Sequence, residues 1–281
     1  MSLNKPKIVV FDMDETIGYF IELGIFWDSL NNYRTINSHI LENKKMLSQE
    51  EFNHVLDLYP EFIRPNILNV FQYLKFKKIS RHCLSIMIYT NNQGPKDWVS
   101  YIKNYFENKL KYKLFNHIIS AFKINGKRVE ICRTSHDKSL KDLIKCTKIQ
   151  NSTDICYLDD TYYPGMHSDN VYYIKVKPYV HDLPFNEMIK RFIQSHIGKE
   201  IIDKSCEHDF IEFMKNNINN YEFVYRGKNR QEYEIDKIIT KKTMEHLQKF
   251  FSKKPASLVV ARNFTLRNKP NIYTKTRKLR K

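Results

Sequence analysis

A short apolar segment near the amino terminus is followed at once by two aspartates, and this pairing restricts what the chain can fold into. Residues 8–11 read Ile-Val-Val-Phe, and Asp12 and Asp14 come directly after them. An apolar run this short, without polar alternation, predicts a strand that is buried on both faces. In open α/β sheets, reactive groups gather beyond the carboxyl ends of such strands. Two carboxylates this close repel each other when buried. The pattern therefore predicts either a nearby cation or a pair in which one carboxyl group is protonated and the other ionised.

Two later segments of strand length, 84–89 and 154–158, also end in polar residues. These polar residues are Thr90 and Asn91 after the first segment, and Asp159 and Asp160 after the second. Helical patterns separate the predicted strands, and this alternation is typical of right-handed crossovers in a parallel sheet. We therefore predict an α/β fold with the polar strand ends along one edge of a central parallel sheet.

The sequence predicts three regions. An α/β domain covers residues 1–183 and includes an insert at 18–63. The aromatic start of the insert fits either a hairpin-like flap beside the carboxylates or part of the core. The polar, Asn-rich residues 28–48 predict a loop with a short helix. The strand–helix alternation then stops, so residues 184–252 predict a mainly helical extension. Residues 253–281 form a basic tail, because the chain from Leu247 onward has eleven Lys and Arg and no acidic residue.

Charge and cysteine content restrict the partners and the compartment. The formal net charge is +16, which favours an anionic partner such as nucleic acid or a phosphorylated protein. The basic tail is a candidate nucleic-acid contact or a solvated end. Five cysteines without a C-x-x-C pair predict reduced thiols in an intracellular compartment, cytoplasmic or nuclear. No apolar segment approaches the roughly 20 residues that span a bilayer, so we expect no membrane partner.

The ordered series of an acid pair, a threonine, a lysine and a second acid pair resembles the haloacid dehalogenase (HAD) superfamily of phosphotransferases. Within it, the chain is most similar to the NIF-like phosphatases, which include the phosphatases of the RNA polymerase II carboxy-terminal domain. Their first motif reads Asp-Leu-Asp-Glu-Thr-Leu, and residues 12–17 read Asp-Met-Asp-Glu-Thr-Ile. Their Arg-Pro before the second motif matches Arg64 and Pro65. The resemblance covers residues 6–180, leaves 18–63 unmatched, and implies a Rossmann-like three-layer sandwich.

The resemblance and the residue chemistry indicate the same roles. Asp12 is the candidate nucleophile and Asp14 the candidate general acid and base. The candidate ligands of Mg²⁺ are Asp12, Asp14, Asp159 and Asp160. The candidate phosphate-binding residues are Thr90, Asn91 and Lys138. The motif lysine is either Lys138, at the start of a predicted helix, or Lys141, which begins the Lys-Asp-Leu common in the family; we favour Lys138.

These observations lead to one favoured function and two alternatives. The favoured function is a magnesium-dependent phosphatase that forms an aspartyl-phosphate and acts on phosphoserine or phosphothreonine in proteins. The first alternative is a nucleic-acid 3′-end phosphatase, although such enzymes usually have Gly where this chain has Glu15. The second alternative is a non-catalytic HAD-fold protein that binds nucleic acid or an acidic partner through residues 184–281.

Overall fold

The structure is a computed structural model. It describes residues 5–37, 46–94, 97–218, 225 and 227–252. The predicted basic tail at 253–281 lies outside the described residues, so its expected contact with nucleic acid stays a prediction. Among the described residues, no helix is both long enough and apolar enough to cross a membrane.

A five-stranded parallel sheet forms the centre of the fold. The strands in chain order are β1 (Lys7–Phe11), β2 (Ser85–Tyr89), β3 (His117–Ile119), β4 (Lys123–Ile124), β5 (Lys127–Arg128), β6 (Asp154–Asp159) and β7 (Val171–Lys175). The spatial order in the sheet is β3-β2-β1-β6-β7, while β4 and β5 pair separately as an antiparallel hairpin. The predicted α/β class with a central parallel sheet is therefore confirmed.

Nine α-helices connect or follow these strands within the described ranges. They are α1 (Ile21–Ile36), α2 (Gln49–Asp57), α3 (Ile67–Ile79), α4 (Trp98–Leu110), α5 (Leu140–Thr147), α6 (Phe185–Gln194), α7 (His196–Ile201), α8 (Glu207–Ile218) and α9 (Arg230–Ser252). Short 3-10 turns lie at Pro60–Phe62, Pro164–Met166 and Lys204–Cys206. Helices α3, α4 and α5 lie in the crossovers between sheet strands, as the alternation of patterns predicts.

The central position of β1 explains its composition. Ile8, Val9 and Val10 are fully buried, because β1 has a neighbouring strand on each edge and packed side chains on each face. A strand in this environment has no solvent-facing side, so its sequence shows no polar alternation. The apolar run that opens the chain is the consequence.

The described chain forms two compact units. The first contains the sheet and comprises residues up to Tyr19, from Ile63 to Val180, and from Lys228 through α9. The second combines Phe20–Phe62 with His181–Gly227. The second unit thus joins parts that the sequence placed in an insert and in a carboxy-terminal extension, while α9 groups with the sheet.

Of the two alternatives for the start of the 18–63 insert, the structure shows core and not a hairpin-like flap, because the segment enters the buried helix α1. Helix α1 (Ile21–Ile36) also replaces the first part of the loop predicted over residues 28–48, of which 38–45 lie outside the described residues. Its side chains pack within the second unit: the ring of Phe26 lies 5.6 Å from that of Phe192, and the ring of Tyr33 lies 4.9 Å from that of Phe210. Because the helix is buried around most of its circumference, it lacks the polar stripe that identifies a surface helix.

Cys132 and Cys146 are joined by a disulfide bond, which overturns the expectation that the cysteines are reduced. Cys132 follows the β4–β5 hairpin, whose turn at Asn125 and Gly126 has positive φ at both residues. Cys146 lies on α5. The loop after the hairpin folds back against this helix, and a spacing of 14 residues gives no sign of that contact. Cys83, Cys156 and Cys206 are free.

Candidate active site

The register of β1 and β6 places two aspartates side by side at the carboxyl edge of the sheet. Phe11 is paired with Leu158, so the next residues, Asp12 and Asp159, are also adjacent. The backbone N–H of Asp12 donates to the carbonyl oxygen of Leu158 at 2.8 Å. Both aspartates are buried, Asp12 with 6% and Asp159 with 1% of its surface exposed. Two buried carboxylates this close require a compensating positive charge.

Lys138 supplies that charge from the start of α5. Its ammonium Nζ donates to Oδ1 of Asp12 at 2.6 Å and to Oδ2 of Asp159 at 2.7 Å. Burial alone would lower the pKa of Lys138, but the charges of Asp12 and Asp159 outweigh burial and raise that pKa. Lys138 is 2% exposed whereas Lys141 faces solvent, so the structure brings Lys138 to the carboxylates and leaves Lys141 outside.

A third carboxylate completes a group with the chemistry of a metal site. Carboxylate oxygens of Asp12, Asp159 and Asp160 lie within 4.8 Å of one another. The hydroxyl of Thr16 accepts from the N–H of Asp160 at 3.1 Å and holds this loop in place. Hard oxygen donors in a small group fit Mg²⁺, which takes few protein carboxylates and keeps several waters. Among the described residues Asp14 is not in this group, although the sequence suggested it as a fourth ligand.

Burial and mutual repulsion change the proton affinities of these carboxyl groups. Burial raises the pKa of Asp12 well above its ordinary value; Lys138 opposes the shift, and the neighbouring aspartates add to it. Burial also raises the pKa of Asp160, with a contribution from the charge of Asp159. These shifts indicate that the cluster of three aspartates carries more negative charge than Lys138 neutralises. A divalent cation would neutralise the remainder.

Asp14 occupies a different environment two residues after Asp12. The amide Nδ2 of Asn92 donates to Oδ2 of Asp14 at 2.9 Å. Burial raises the pKa of Asp14 to about 6, and the hydrogen bond from Asn92 limits the rise. A carboxyl group with this pKa exchanges its proton near neutral pH, which is the property a general acid and base requires.

Thr90 and Asn91 follow β2, next to the carboxylates on β1. The hydroxyl of Thr90 is buried and accepts from the backbone N–H of Asn92 at 3.0 Å, which leaves its own hydrogen available for donation. The amide Nδ2 of Asn91 instead donates to the hydroxyl of Tyr163 at 3.1 Å. Its Oδ1 is buried and accepts no hydrogen bond from the described residues. The hydroxyl of Thr90 can therefore donate a hydrogen bond to a bound group. The side chain of Asn91 orients the hydroxyl of Tyr163.

Arg133 is a site residue that sequence reasoning missed. Its guanidinium is fully buried and lies 4.9 Å from the ring centre of Tyr89. The carbonyl oxygens that accept its hydrogen bonds, at 2.8–3.1 Å, belong to Thr90, Ser120 and His136. Arg133 thus ties the ends of β2 and β3 to the loop that leads to Lys138. An arginine in a polar loop ordinarily predicts a solvated side chain, so the sequence gives no signal of this role.

Arg64 performs a related task for the loop that contains Asp14. Its guanidinium donates to the carbonyl oxygens of Thr16 and Glu15, each at 2.6 Å, and of Lys177 at 2.8 Å. Glu15 has φ of 59°, in the left-handed region, and this sharp turn follows Asp14 directly. Burial lowers the pKa of Arg64 to about 10, which leaves it charged at neutral pH. The Arg-Pro pattern indicated the position of Arg64 but not these contacts.

The fold and site together define an α/β protein with a buried lysine and a carboxylate cluster at the carboxyl edge of its parallel sheet. No model of a known protein family matches the sequence, and no curated protein matches it either.

Proposed function

We propose that this chain is a magnesium-dependent phosphatase of HAD type that works through an aspartyl-phosphate on Asp12. The observation that carries the proposal is the position of Lys138, buried between the carboxylates of Asp12 and Asp159. A binding protein gains nothing from an arrangement in which so many charges are removed from water, because their desolvation costs several kcal/mol per ion. In a phosphoryl-transfer site, by contrast, the buried positive charge stabilises the negative charge on the oxygens of the transferred phosphoryl group.

In the first step, a carboxylate oxygen of Asp12 attacks the phosphorus atom of a phosphoric monoester. The bond between phosphorus and the ester oxygen breaks, and that oxygen takes the proton of Asp14 as the alcohol leaves. The hydrogen bond from Asn92 fixes the carboxyl group of Asp14 in orientation. The ammonium of Lys138 and the hydroxyl of Thr90 are donors for the oxygens of the transferred phosphoryl group.

In the second step, Asp14 acts as a base. It takes a proton from a water molecule while the water oxygen attacks phosphorus, and the bond between phosphorus and Asp12 breaks. Inorganic phosphate leaves, and both aspartates return to their starting state. A pKa of about 6 for Asp14 allows the same group to give a proton in one step and accept one in the next.

The residues that would hold Mg²⁺ are Asp12, Asp159 and Asp160. When bound, the ion would neutralise negative charge on the phosphoryl oxygens and lower the pKa of its carboxylate ligands. Thr16 positions Asp160, and the N–H of Thr161 donates to Oδ1 of Asp159 at 2.8 Å. These hydrogen bonds orient the carboxylates before any ion arrives.

The proposed substrate is phosphoserine or phosphothreonine in a protein, and this choice rests on the resemblance of the first motif to the NIF-like phosphatases. The net charge of +16 favours the second candidate, a 3′-phosphate on nucleic acid. Matched phosphopeptides and 3′-phosphorylated oligonucleotides, compared by kcat/KM with Mg²⁺, rank the two candidates. A larger kcat/KM for the oligonucleotides would reject the protein-phosphatase assignment.

Trapping the phosphoryl group tests the proposal itself. We expect beryllofluoride with Mg²⁺ to bind at Asp12 and to be located there in a crystal structure of the complex. Brief incubation with a phosphoric monoester, followed by acid quench and peptide mass analysis, should find phosphate on the peptide that contains residues 8–14. Phosphate on another residue would assign the nucleophile to that residue. No trapped species together with no turnover would leave the non-catalytic binding protein as the better description.

A further inference from the structure

The disulfide bond between Cys132 and Cys146 closes a ring of chain that contains two basic residues of the candidate site. One is Arg133, which donates to the carbonyl oxygen of Thr90. The other is Lys138, whose ammonium lies between two buried carboxylates. A single covalent bond therefore restricts the segment that supplies both of them.

The segment between β5 and α5, residues 129–139, contains neither helix nor strand. It is held by the hydrogen bonds of Arg133, by bonds from Thr134 to Asp142, and by the disulfide at Cys132. The segment has few backbone hydrogen bonds, so without other restraints it would have many alternative conformations, and a cross-link reduces their number. If the disulfide opens, the remaining hydrogen bonds still define the fold of the segment, but Lys138 loses part of its restraint.

The disulfide also differs from the other cysteines in accessibility. Cys132 and Cys146 are both partly exposed, whereas the thiols of Cys83 and Cys156 are buried. Burial raises the pKa of Cys83 to about 12, so its thiol is unreactive near neutral pH. A reductant in solution therefore reaches the bond in the loop, while the two core thiols stay protected. Cys206 is partly exposed as well and serves as an internal control.

We propose that Cys132 and Cys146 form a thiol–disulfide exchange site that regulates the candidate active site through the segment carrying Arg133 and Lys138. The regulatory part of this inference rests on the proposed phosphatase activity. The oxidised form holds Lys138 between Asp12 and Asp159 and is the more active form. The co-reactant is a dithiol, either a small molecule or a dithiol protein.

A dithiol reduces the bond between Cys132 and Cys146 in two exchange steps. A thiolate of the dithiol attacks one sulfur of the pair, the bond between Cys132 and Cys146 breaks, and a mixed disulfide forms. The second thiol of the reductant then attacks the mixed disulfide and closes the reductant's own disulfide. Two electrons and two protons pass to the protein, so that both cysteines end as thiols.

The experiment compares the full chain before and after treatment with dithiothreitol. Alkylation of the native protein should label Cys132 and Cys146 only after reduction. With Mg²⁺ and para-nitrophenyl phosphate, we expect reduction to lower kcat/KM by about three- to tenfold, which corresponds to a loss of about 0.7–1.4 kcal/mol of transition-state stabilisation. Removal of the reductant and reoxidation should restore the rate. Hydrogen exchange should become faster in residues 129–139 and stay unchanged in β1.

Two variants separate this site from general effects of the reductant. The double variant Cys132→Ser with Cys146→Ser should have the activity of the reduced form and no response to dithiothreitol, whereas Cys206→Ser should respond as the wild type does.

Alkylation of both Cys132 and Cys146 without reductant, or equal hydrogen exchange in the two redox forms, would overturn the proposal. Equal activity of the two forms would reject the regulatory role. If neither form has turnover, the phosphatase assignment fails, while hydrogen exchange still tests whether the bond controls the segment.

Discussion

Lys138 and Asp12 form a buried ion pair of 2.6 Å across 126 residues of chain. The same ammonium also contacts Asp159 at 2.7 Å, so one cation offsets two carboxylates on neighbouring strands. Because the three groups are almost fully removed from water, the loss of any one of them leaves uncompensated charge inside the protein. This arrangement makes the site sensitive to single substitutions in ways that can be measured.

Lys138→Met should destabilise the protein, because it leaves the carboxylates of Asp12 and Asp159 buried without their cation. Breaking a buried ion pair from one side costs about 3–5 kcal/mol, and we expect a reduction of that size in the free energy of unfolding in urea. The matched control is Lys141→Met, which removes an exposed lysine three residues further on, in the first turn of α5, and should change stability by less than about 0.5 kcal/mol. Equal effects of the two substitutions would contradict the placement of Lys138.

Mg²⁺ should stabilise the folded protein, since the three carboxylates come together only in the native state. A ligand at about 100 times its Kd adds about 2.7 kcal/mol to the free energy of unfolding, which is visible as a higher Tm. Chelation with EDTA should reverse the increase and abolish phosphatase activity. Asp160→Asn should weaken the response to Mg²⁺, whereas Asp137→Asn, at an exposed position, should retain it. A Tm that does not depend on Mg²⁺ in the wild type would count against a metal site.

The sequence predicted the parts of the site that lie at the ends of apolar strands. Asp12 and Thr90 each follow a strand buried in the sheet and Asp159 is the last residue of one, and parallel strands bring their carboxyl ends to one edge. Asn92 and Arg133 were missed because their roles depend on hydrogen bonds to loops that are distant along the chain. A polar residue in a loop has the same appearance in a sequence whether it is solvated or holds a site together.

The parts of the fold that the sequence did not predict have a similar cause. Helix α1 is buried around most of its circumference, so its aromatic residues show no amphipathic pattern and were compatible with a flap. Cys132 and Cys146 meet because the loop after the β4–β5 hairpin returns to α5. Such contacts follow from tertiary packing, and neither residue spacing nor composition encodes them locally. The parallel sheet was predictable because alternating strands and helices restrict how the strands connect, whereas loop paths have no comparable rule.

Asp12→Asn should abolish turnover of para-nitrophenyl phosphate, because the neutral amide cannot attack phosphorus. We expect kcat to fall by about 1000-fold or more, as is usual when the nucleophile of a covalent mechanism is removed. The substitution preserves size and leaves Lys138 paired with Asp159, so the folded state should persist. Residual activity within tenfold of the wild type, measured with Mg²⁺ and with circular dichroism as a check on folding, would assign the nucleophile to another residue.

The pKa of about 6 for Asp14 predicts the pH dependence of the first step. The acid form exists below that pKa and is lost as pH rises through it, so kcat for an alkyl phosphate should fall above about pH 6. Asn92→Ala removes a hydrogen bond that stabilises the carboxylate, which raises the pKa of Asp14 and should move the fall to higher pH. Para-nitrophenyl phosphate has a leaving group that needs little protonation and should show a weaker fall. Identical profiles for the two substrates would exclude Asp14 as the acid.

Arg64→Lys tests whether the turn after Asp14 must be held in place. The planar guanidinium of Arg64 donates from separate nitrogens to the carbonyl oxygens of Glu15, Thr16 and Lys177. A lysine ammonium donates from one nitrogen only and cannot reach all three oxygens in the same way. The carbonyls left without a donor should cost about 1–3 kcal/mol of stability. A small displacement of Asp14 should lower kcat by up to about 100-fold, with little change in KM because Arg64 contacts backbone and not substrate.

The exposed Arg81 provides the matched control, since Arg81→Lys makes the same chemical change away from this turn and should leave kcat unchanged. The split between kcat and KM distinguishes positioning from binding. If Arg64→Lys raises KM and leaves kcat intact, Arg64 contributes to substrate binding instead. If both parameters and the stability stay at wild-type values, backbone hydrogen bonds such as that from the N–H of Tyr179 to the carbonyl of Glu15 suffice to hold the strained turn, and the guanidinium is dispensable.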